Sequence, residues 1–472
     1  MSLLIHPLEP FPGLSARLGI LGSLPGHARL DGDREGHPWS FVAWHPRWVL
    51  EARGSTIRWW RDGSVRETHG DPLEAFQAGL EAWALGTPEA RYPTDLRDCP
   101  FLGGGIGYLS YDLGLGLDPH VIASPPDPLE LPELRFTWFD TLLVRHADGR
   151  AWLVVTTAPG EEADLLPARL ARARADLEAV PVPPPAVPMR ARGTPTWTMS
   201  REVHAEGVAR IRELIASGDC YQVNLTHRVE VPVEGDPGSW YDHLVRTHPA
   251  PFAAYLPLTA DRAIACISPE RFLRVEGDRV WTEPIKGTRP RAASPDEDAR
   301  AAAELRASLK DRAEHVMIVD LERNDLGRVA LPGSVQVTDL FRLQANPTVW
   351  HLVTRVEARL KPGIRVADLL RATFPGGSIT GAPKLRAMQR IAELEGQARG
   401  VYTGAIGTCG RDGRLDLNVA IRTAVWTGDR VHVQVGGGIV ADSEPDAEWR
   451  ETADKAWGML RSLGLDRSCW PG

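Results

Sequence analysis

Hydrophobic residues follow two spacings along the chain, one typical of helices and one typical of strands. Helical spacing runs through 71–86, 203–219, 296–326 and 444–463, where apolar positions recur every three or four residues. Between these stretches, short runs alternate apolar and polar residues, as in WHPRWVLEA and RVHVQVGGGIV. The pattern predicts a chain of mixed helices and strands.

Turn residues between the strands predict how the strands pair. Segments such as WFDTLLVRHADGRAWLVVTTA and TCGRDGRLD are typical of hairpins with Asp-Gly turns, so the sheets should be largely antiparallel with helices packed outside. We predict an N-terminal domain over 1–178, a Pro-rich linker over 179–195 and a second domain over 196–465. The alternative for the Pro-rich stretch is a long surface loop inside one domain.

Composition excludes several classes of protein. The chain has 472 residues, of which 43% are hydrophobic and 25% charged, so it can bury a large core. No apolar run approaches the roughly 18 residues of a membrane span, and the first residues lack the pattern of a signal peptide. A net charge of −8 argues against nucleic acid as a partner, and five scattered cysteines argue against a zinc site. We expect a cytoplasmic protein without a membrane partner.

Lysine is rare in this chain, which makes each lysine informative. Of the 54 Lys and Arg residues only five are Lys, and the first is Lys286 in PIKGTRPR. Arg stays charged, whereas a Lys can lose its proton and act as a nucleophile. The prolines and glycine should hold this segment extended, and the nearby Arg289 and Arg291 should lower the pKa of Lys286. The alternative is a solvated lysine in a basic turn.

Three carboxylates on two predicted helices form a candidate Mg²⁺ site. Glu314 borders an apolar stripe in DRAEHVMIVDLERND, and Glu448 and Glu451 lie in EWRETADK. Carboxylates from separate helices, together with substrate oxygens, suit a Mg²⁺ ion that keeps several waters. For Glu451 the alternative is a surface pair with Lys455, one helical turn later.

Two further residues on or near predicted strands are candidates for catalysis and for substrate binding. Glu270 in SPERF follows a predicted strand and could act as a general acid, or else carry the charge of a helix N-terminus. Arg422 in NVAIRT should lie on a strand, on the opposite side from Val419 and Ile421, where it could bind a carboxylate through two hydrogen bonds. The triple glycine 436–438 could add backbone N–H donors.

These motifs together, and in this order, resemble the chorismate-utilising enzymes. The resemblance covers nearly the whole chain and is densest from about 200 to 460. It is carried by DCYQVNLT, SPERF, PIKGTRPR, AEHVMIVDLERNDLGRV, FPGGSITGAPK, VYTGAIG, NVAIRT and VGGGIVADSEP. It implies an α/β (α+β) fold, a two-layer sandwich of largely antiparallel sheets with helices packed outside and the active site in the cleft.

The resemblance also implies a set of site residues. It implies Mg²⁺ ligation by Glu314 and Glu451, with Glu448 as a further ligand or a neighbour of the ligands. It implies an acid role for Glu270 near the departing C4 hydroxyl of chorismate, and an active-site role for His351. The resemblance further implies that chorismate is bound by Gln222, Thr288, Tyr402, Arg422, Gly436, Gly437 and Gly438. A pocket for tryptophan, as inhibitor or structural ligand, would be formed by Trp39, Ser40, Pro251, Phe252 and Ala253, with Asp31 and Gly32 where family members place a Ser.

Two positions separate the reactions that the family catalyses. Isochorismate and salicylate synthases carry a water-activating Lys at the position matched by Gln222, and a Gln cannot be that base. Members that place nitrogen at C2 of chorismate typically have Ala where Lys286 stands, whereas members that place it at C4 typically have Lys. In the latter, the resemblance implies that the Lys adds to C2 as the C4 hydroxyl leaves, and that ammonia then enters at C4.

The resemblance therefore implies that the chain converts chorismate and ammonia to 4-amino-4-deoxychorismate, a folate precursor, with Lys286 as the nucleophile. No segment resembles a glutaminase, so a separate glutamine amidotransferase subunit should supply the ammonia, or free ammonia should be used. The nearest alternative is an anthranilate-forming enzyme that aminates C2. A more distant one is a non-catalytic binding subunit on the same fold.

Overall fold

The structure is a computed structural model that describes residues 2–9, 11–32, 37–61, 63–84, 93–117, 125–181, 188–347 and 349–471. Within these residues the chain forms 23 strands and 11 α-helices. The strands are β1 (Leu3–Leu8), β2 (Ala28–Asp31), β3 (Trp39–Arg53), β4 (Thr56–Arg61), β5 (Ser64–His69), β6 (Gly104–Leu109), β7 (Leu134–His146), β8 (Ala151–Thr156), β9 (Arg190–Ala191), β10 (Thr196–Trp197), β11 (Gln222–Glu234), β12 (Phe252–Thr259), β13 (Arg262–Ser268), β14 (Arg271–Glu276), β15 (Arg279–Glu283), β16 (Ile285–Pro290), β17 (Gln336–Ala345), β18 (Val349–Arg359), β19 (Gly381–Ala382), β20 (Ala405–Gly410), β21 (Leu415–Asn418), β22 (Thr423–Thr427) and β23 (Arg430–Ile439). The helices are α1 (Leu14–Gly22), α2 (Pro72–Trp83), α3 (Tyr111–Gly116), α4 (Leu166–Ala179), α5 (Arg201–Ala216), α6 (Pro237–Thr247), α7 (Pro295–Ala307), α8 (Leu309–Val329), α9 (Val366–Thr373), α10 (Lys384–Glu395) and α11 (Pro445–Ser462).

Antiparallel pairing organises the strands, as predicted. Backbone hydrogen bonds join the described strands into one network, and its long ladders, such as β3–β7, β11–β23 and β12–β13, are antiparallel. The predicted hairpin forms between β7 and β8 and turns through Gly149, whose φ of 100° favours glycine. The expected class, largely antiparallel sheets with helices packed against them, is confirmed.

Strands of the two predicted domains pair with each other. β2 pairs with β12, and β6 pairs with β20. One hydrophobic cluster includes Trp48 and Trp138 together with Phe272 and Leu417, so the two regions share a core. The domain boundary at 178 stays a prediction, and residues 182–187 of the Pro-rich segment predicted over 179–195 lie outside the described residues.

Two helices bring the predicted metal ligands to the sheet. α8 begins after Ser308, whose hydroxyl accepts the N–H of Asp311 at 3.2 Å, and it buries Val319 and Leu326 in the core. α11 begins with Pro445 and buries Trp449 on its inner face. Across the part of the chain that the structure describes, no helix is both long and apolar enough to cross a membrane.

Candidate active site

Lys286 lies in a cluster of polar side chains from three elements. Its Nζ, on β16, donates a hydrogen bond of 2.9 Å to Oε1 of Glu314 on α8. Nε2 of Gln222, the first residue of β11, donates to the same oxygen at 2.9 Å. The side chain of Lys286 is 14% exposed, so it is not the solvated lysine of the alternative interpretation. One carboxylate oxygen therefore orients both an amine and an amide.

The pKa of Lys286 is raised, and the prediction that neighbouring arginines lower it is wrong. Burial alone would lower this pKa, but the carboxylates of Glu314, Glu270 and Glu451 outweigh the effect of burial. The arginines that follow in the segment are engaged by carboxylates of α7 and α8, Arg289 by Glu304 and Asp311, and Arg291 by Asp298. Lys286 is thus held as an ammonium for as long as the carboxylates around it keep their charge.

Glu451 lies on α11 within electrostatic reach of Glu314. Its Oε1 forms a 2.7 Å ion pair with Lys455, which is the pair considered as the alternative to a metal site. The Lys455 Nζ also donates to the carbonyl of Gly436 at 2.9 Å, which ties the pair to β23. Lys455 lowers the pKa of Glu451, while the nearby charge of Glu314 opposes that change. The ion pair is present, and it belongs to the same site as Glu314.

Two of the three predicted metal ligands, Glu448 and Glu451, lie close together, and Mg²⁺ binding by them with Glu314 stays a prediction. A Cβ on Gly437 would lie 3.1 Å from Oε2 of Glu448 and 3.8 Å from Oε1 of Glu451, so both carboxylates lie over one glycine. Burial raises the pKa of Glu448, and the charge of Glu451 adds to the rise. Among the described residues, no group of three or more His, Cys, Asp or Glu side chains is arranged to hold a metal by itself. Mg²⁺ commonly binds through one or two carboxylates plus waters and substrate.

Glu270 lies in the turn between β13 and β14, and not at a helix N-terminus. The residue is 4% exposed, and Oε1 of its carboxyl accepts a 2.6 Å hydrogen bond from Oγ of Ser378. Burial raises the pKa of Glu270 to about 7, against opposing contributions from Ser378 and Lys286. The carboxyl is therefore partly protonated near neutral pH, as a general acid must be.

Arg422 lies in a turn, so the predicted strand position is wrong. β21 ends at Asn418 and pairs with β14, whereas β22 begins at Thr423 and pairs with β13. The chain between them must therefore change partners, and Arg422 adopts a left-handed φ of 49° there. The N–H of Val419 donates to the carbonyl of Glu270 at 3.0 Å, which joins this turn to the acid. Within the described residues, the Arg422 guanidinium has no hydrogen-bond or ion-pair partner.

Tyr402 lies on a second turn, next to that of Arg422. The N–H of Thr403 donates to the carbonyl of Ala420 at 2.9 Å, and the N–H of Ala420 donates to the carbonyl of Gly404 at 2.9 Å. Tyr402 is buried, and burial raises the pKa of its phenol. Two residues predicted to bind chorismate therefore lie on adjoining turns at the Glu270 end of the site.

His351 lies on β18, directly opposite Thr288 of β16. Its ring is buried, and Nδ1 accepts a 3.0 Å hydrogen bond from Nδ2 of Asn346, which leaves the ring proton on Nε2. Burial and the charge of Arg422 lower the pKa of His351 to about 3, so the ring is neutral. His351 can therefore donate a hydrogen bond from Nε2, and Thr288 is exposed beside it.

The glycines 436–438 lie in β23 and make room for side chains of the site. A Cβ on Gly438 would overlap Nε2 of Gln222 and lie 2.9 Å from Oδ1 of Asn224. Glycine at this position therefore lets Gln222 reach Glu314. Backbone donation from these glycines to a substrate stays a prediction.

A separate cavity of about 830 Å³ holds most of the predicted tryptophan pocket. Its lining includes Trp39, Pro251, Phe252, Ala253, Asp31 and Gly32. Among the described residues Ser40 is not part of the lining, and its Oγ accepts the N–H of Gly32 at 3.4 Å. The Asp31 carboxylate is already engaged by Arg29 at 2.7 Å. Neither Lys286 nor its partner carboxylates line this cavity, and tryptophan binding stays a prediction.

Two residues without a predicted role, Ser378 and Asn346, and one predicted only as a surface partner, Lys455, contact residues of the predicted site. Ser378, which donates to Glu270, lies in the motif FPGGSITGAPK, so a signal for it was present in the sequence. Asn346, which directly follows β17, fixes the ring of His351 on the paired strand β18 through one hydrogen bond, and no motif points to it. The Lys455 contact with β23 depends on the packing of α11 against that strand.

Comparison with known proteins relates this geometry to characterised sequences. The sequence profile of the family described as chorismate binding enzyme matches residues 29–461. Anthranilate synthase component 1 of Streptomyces coelicolor is 43% identical over 410 residues, which cover 84% of this chain and 78% of that protein. Aminodeoxychorismate synthase component 1 of Salmonella typhimurium is 41% identical over 397 residues, which cover 84% of this chain and 83% of that protein.

Solved structures give the same fold. Anthranilate synthase component I from Streptococcus pneumoniae TIGR4 superposes with a TM-score of 0.79 at 30% identity, over 91% of this chain and 93% of that chain. The menaquinone-specific isochorismate synthase from Escherichia coli shares the fold at 18% identity, with a TM-score of 0.73 over 98% of this chain and 94% of that chain. The chain belongs to the family of chorismate binding enzymes.

Proposed function

We propose that this protein aminates chorismate at C4, converting chorismate and ammonia to 4-amino-4-deoxychorismate and water for p-aminobenzoate and folate synthesis in the cytoplasm. The Salmonella typhimurium relative carries the name of this activity, and "component 1" in that name implies a partner component. In our proposal the partner is a glutamine amidotransferase that supplies the ammonia.

The observation that carries this proposal is the position of the Lys286 amine. The amine is 2.9 Å from Glu314, and the charges of Glu270 and Glu451 also act on it. The proposed acid, Glu270, and the proposed metal ligands Glu314 and Glu451 therefore lie within electrostatic reach of the proposed nucleophile. Burying charged side chains is costly unless they pair with one another. A non-catalytic binding subunit has no need to bury a lysine among three glutamates.

Lys286, which the surrounding carboxylates hold as an ammonium, first releases a proton to solvent and then acts as a neutral amine. Its nitrogen adds to C2, the ring double bond shifts, and the C4–O bond breaks while Glu270 gives its proton to the leaving hydroxyl, which departs as water. Ammonia then adds to C4, the double bond shifts back, and the C2–N bond to Lys286 breaks. The proton that Glu270 lost returns from the new nitrogen. One ammonia is consumed, one water is released, and both side chains are regenerated.

Arg422 and His351 orient the substrate in this proposal. The guanidinium of Arg422 is free of protein partners within the described residues, and it can bind a carboxylate of chorismate through two parallel hydrogen bonds. The neutral His351 ring can donate from Nε2 to a substrate oxygen. Thr288, Tyr402 and Gln222 complete the proposed binding surface.

We assign the Mg²⁺ site to Glu314 and Glu451, with Glu448 beside them. When bound, the ion supplies positive charge that binds a substrate carboxylate and offsets the carboxylates that raise the pKa of Lys286. Gln222 keeps Glu314 oriented through its 2.9 Å hydrogen bond.

A second candidate function is amination at C2 to give anthranilate. The observation that favours it is the name of the Streptomyces coelicolor relative, which is anthranilate synthase component 1. A covalent bond between Lys286 and C2 would block that carbon, so the lysine favours amination at C4.

Product identity tests the proposal. The purified chain is incubated with chorismate, Mg²⁺ and ammonium, and the product is identified by its mass and ultraviolet spectrum. We expect 4-amino-4-deoxychorismate. Anthranilate would favour the second candidate, and chorismate that stays unchanged would favour a non-catalytic binding subunit.

A further inference from the structure

We propose that Glu322, a buried residue outside the reaction just described, is a positioning residue that holds the carboxyl of Glu270 in place. The inference rests on the proposed function, because it takes Glu270 to be the acid that protonates the departing hydroxyl. It also gives a role to the segment FPGGSITGAPK, which connects the two glutamates.

A short turn links Glu322 to Glu270. Glu322 on α8 is 3% exposed, and its Oε1 accepts a 2.8 Å hydrogen bond from the N–H of Gly377. Gly377 begins a 3-10 turn, Gly377–Ile379, and the next residue, Ser378, donates its hydroxyl to Glu270 at 2.6 Å. The N–H that bonds to Glu322 and the hydroxyl that bonds to Glu270 therefore belong to adjacent residues.

The turn is packed directly on α8. A Cβ on Gly377 would lie 2.7 Å from Leu321 and 3.0 Å from Oε1 of Glu322, so a larger residue does not fit without a shift. Other hydrogen bonds to this turn end on its carbonyls, such as the 3.1 Å bond from Asn224 to Ser378. Within the described residues, the N–H of Gly377 bonds to Glu322 alone.

Burial favours the neutral forms of both carboxyls, and a nearby lysine opposes this effect at each of them. Burial raises the pKa of Glu322 to about 7, and like charges on Asp325 and Glu270 add to the rise while Lys384 of α10 opposes it. Lys384 is itself bound to Asp325. Glu270 faces Lys286 of β16 in addition to Ser378 and Glu322. Ionisation of one glutamate therefore opposes ionisation of the other.

α8 thus supports both halves of the proposed reaction. Near its start Glu314 holds Lys286, and about two helical turns later Glu322 holds the turn that carries Ser378. A single helix therefore contacts both the proposed nucleophile and the turn that holds the proposed acid.

Two variants of Glu322 separate its hydrogen bond from its charge. Glu322→Gln and Glu322→Ala both remove the charge, but only Gln keeps an acceptor for the N–H of Gly377. We expect Glu322→Gln to keep kcat for chorismate amination within about 3-fold of wild type, and Glu322→Ala to lose roughly 10-fold or more in kcat with KM unchanged. Equal kcat values for the two variants would overturn the proposal.

The pH profile distinguishes positioning from a general loss of stability. The Ser378 hydroxyl lowers the pKa of Glu270, so a loosened turn should raise that pKa. In Glu322→Ala the decline of kcat towards high pH should therefore begin at a higher pH than in Glu322→Gln. Identical profiles would contradict a positioning role.

Further variants keep the test decisive. If Glu322→Ala does not fold, Glu322→Met, which is apolar and of similar volume, replaces it in the same comparison. Ser378→Ala should reproduce the loss of kcat and the shift in pH profile, and a wild-type kcat in Ser378→Ala would refute the proposal. Glu270→Gln tests the proposed function separately, because wild-type kcat there would remove the acid role itself. If Glu270→Gln is inactive while Glu322→Gln and Glu322→Ala have equal kcat values, the positioning role of Glu322 is refuted and the acid role of Glu270 stands.

Discussion

Replacing Gly438 by Ala should disconnect Gln222 from Glu314. The new methyl group would overlap Nε2 of Gln222 and lie 3.2 Å from its Cδ and 2.9 Å from Oδ1 of Asn224. Asn224 is held by a 3.1 Å hydrogen bond to the carbonyl of Ser378, so it cannot easily yield. The Gln222 amide must therefore move, and its 2.9 Å hydrogen bond to Glu314 is lost.

The size of the effect follows from the bond that is lost. A hydrogen bond to a charged group contributes about 1.5–3 kcal/mol, and each 1.36 kcal/mol corresponds to roughly a factor of ten. If the orientation of Glu314 matters in the transition state, Gly438→Ala should lower kcat/KM for chorismate by about 10- to 150-fold. Steady-state rates of product formation with saturating Mg²⁺ and ammonium measure this directly.

A matched glycine and a double variant make the interpretation specific. Gly327 lies in α8, the helix of Glu314, and a Cβ there would meet nothing within 4 Å, so Gly327→Ala should keep kcat/KM and gain about 0.5–1 kcal/mol of stability. Gln222→Ala should lower kcat/KM by the same factor as Gly438→Ala. The double variant should lower kcat/KM by no more than either single variant, because both changes remove the same hydrogen bond. Wild-type kcat/KM in Gly438→Ala, or full additivity with Gln222→Ala, would refute the reasoning.

Three further outcomes follow from the site and the core. EDTA should abolish turnover and Glu451→Gln should raise the Mg²⁺ requirement, whereas full activity in EDTA would contradict the metal assignment. The chain alone should use ammonium but not glutamine, and efficient use of glutamine by the purified chain would contradict a two-component system. Burial lowers the pKa of His204 to about 4 and that of His227 to about 3, from 6.5. Stability should therefore be complete above about pH 6.5 and fall as the pH drops towards these values, by about 2 kcal/mol per histidine between pH 7 and pH 5 in urea unfolding.

Local patterns in the sequence predict those parts of the fold that local interactions decide. The helix over 71–86 appears as Pro72–Trp83, where Asp71 accepts the N–H of Leu73 at 2.8 Å and caps the first turn. The hairpin through Gly149 likewise forms where the Asp-Gly pair predicts it. Arg422 escapes prediction because its turn exists only where the chain changes from one partner strand to another, which a local pattern does not contain.

The electrostatics of the site show the same limit. Arg289 and Arg291 are nearest to Lys286 in sequence, but the carboxylates that decide its pKa come from distant elements, α8, α11 and the turn before β14. The motifs identify which residues take part, whereas the sign of the shift depends on which of them the fold brings within reach. Glu322 illustrates the same point, because its one hydrogen bond to a distant turn leaves no periodic signal.

The most direct test of the central claim is the rate of 4-amino-4-deoxychorismate formation by Lys286→Arg. A guanidinium stays protonated and cannot act as the nucleophile, although it keeps the charge beside Glu314. Lys310→Arg is the matched control, since Lys310 is exposed on α8 and pairs with Asp442 at 3.3 Å. We predict a loss of roughly 100-fold or more in Lys286→Arg and a wild-type rate in Lys310→Arg. A wild-type rate in Lys286→Arg, with the 4-amino product unchanged, would contradict the nucleophilic role of Lys286.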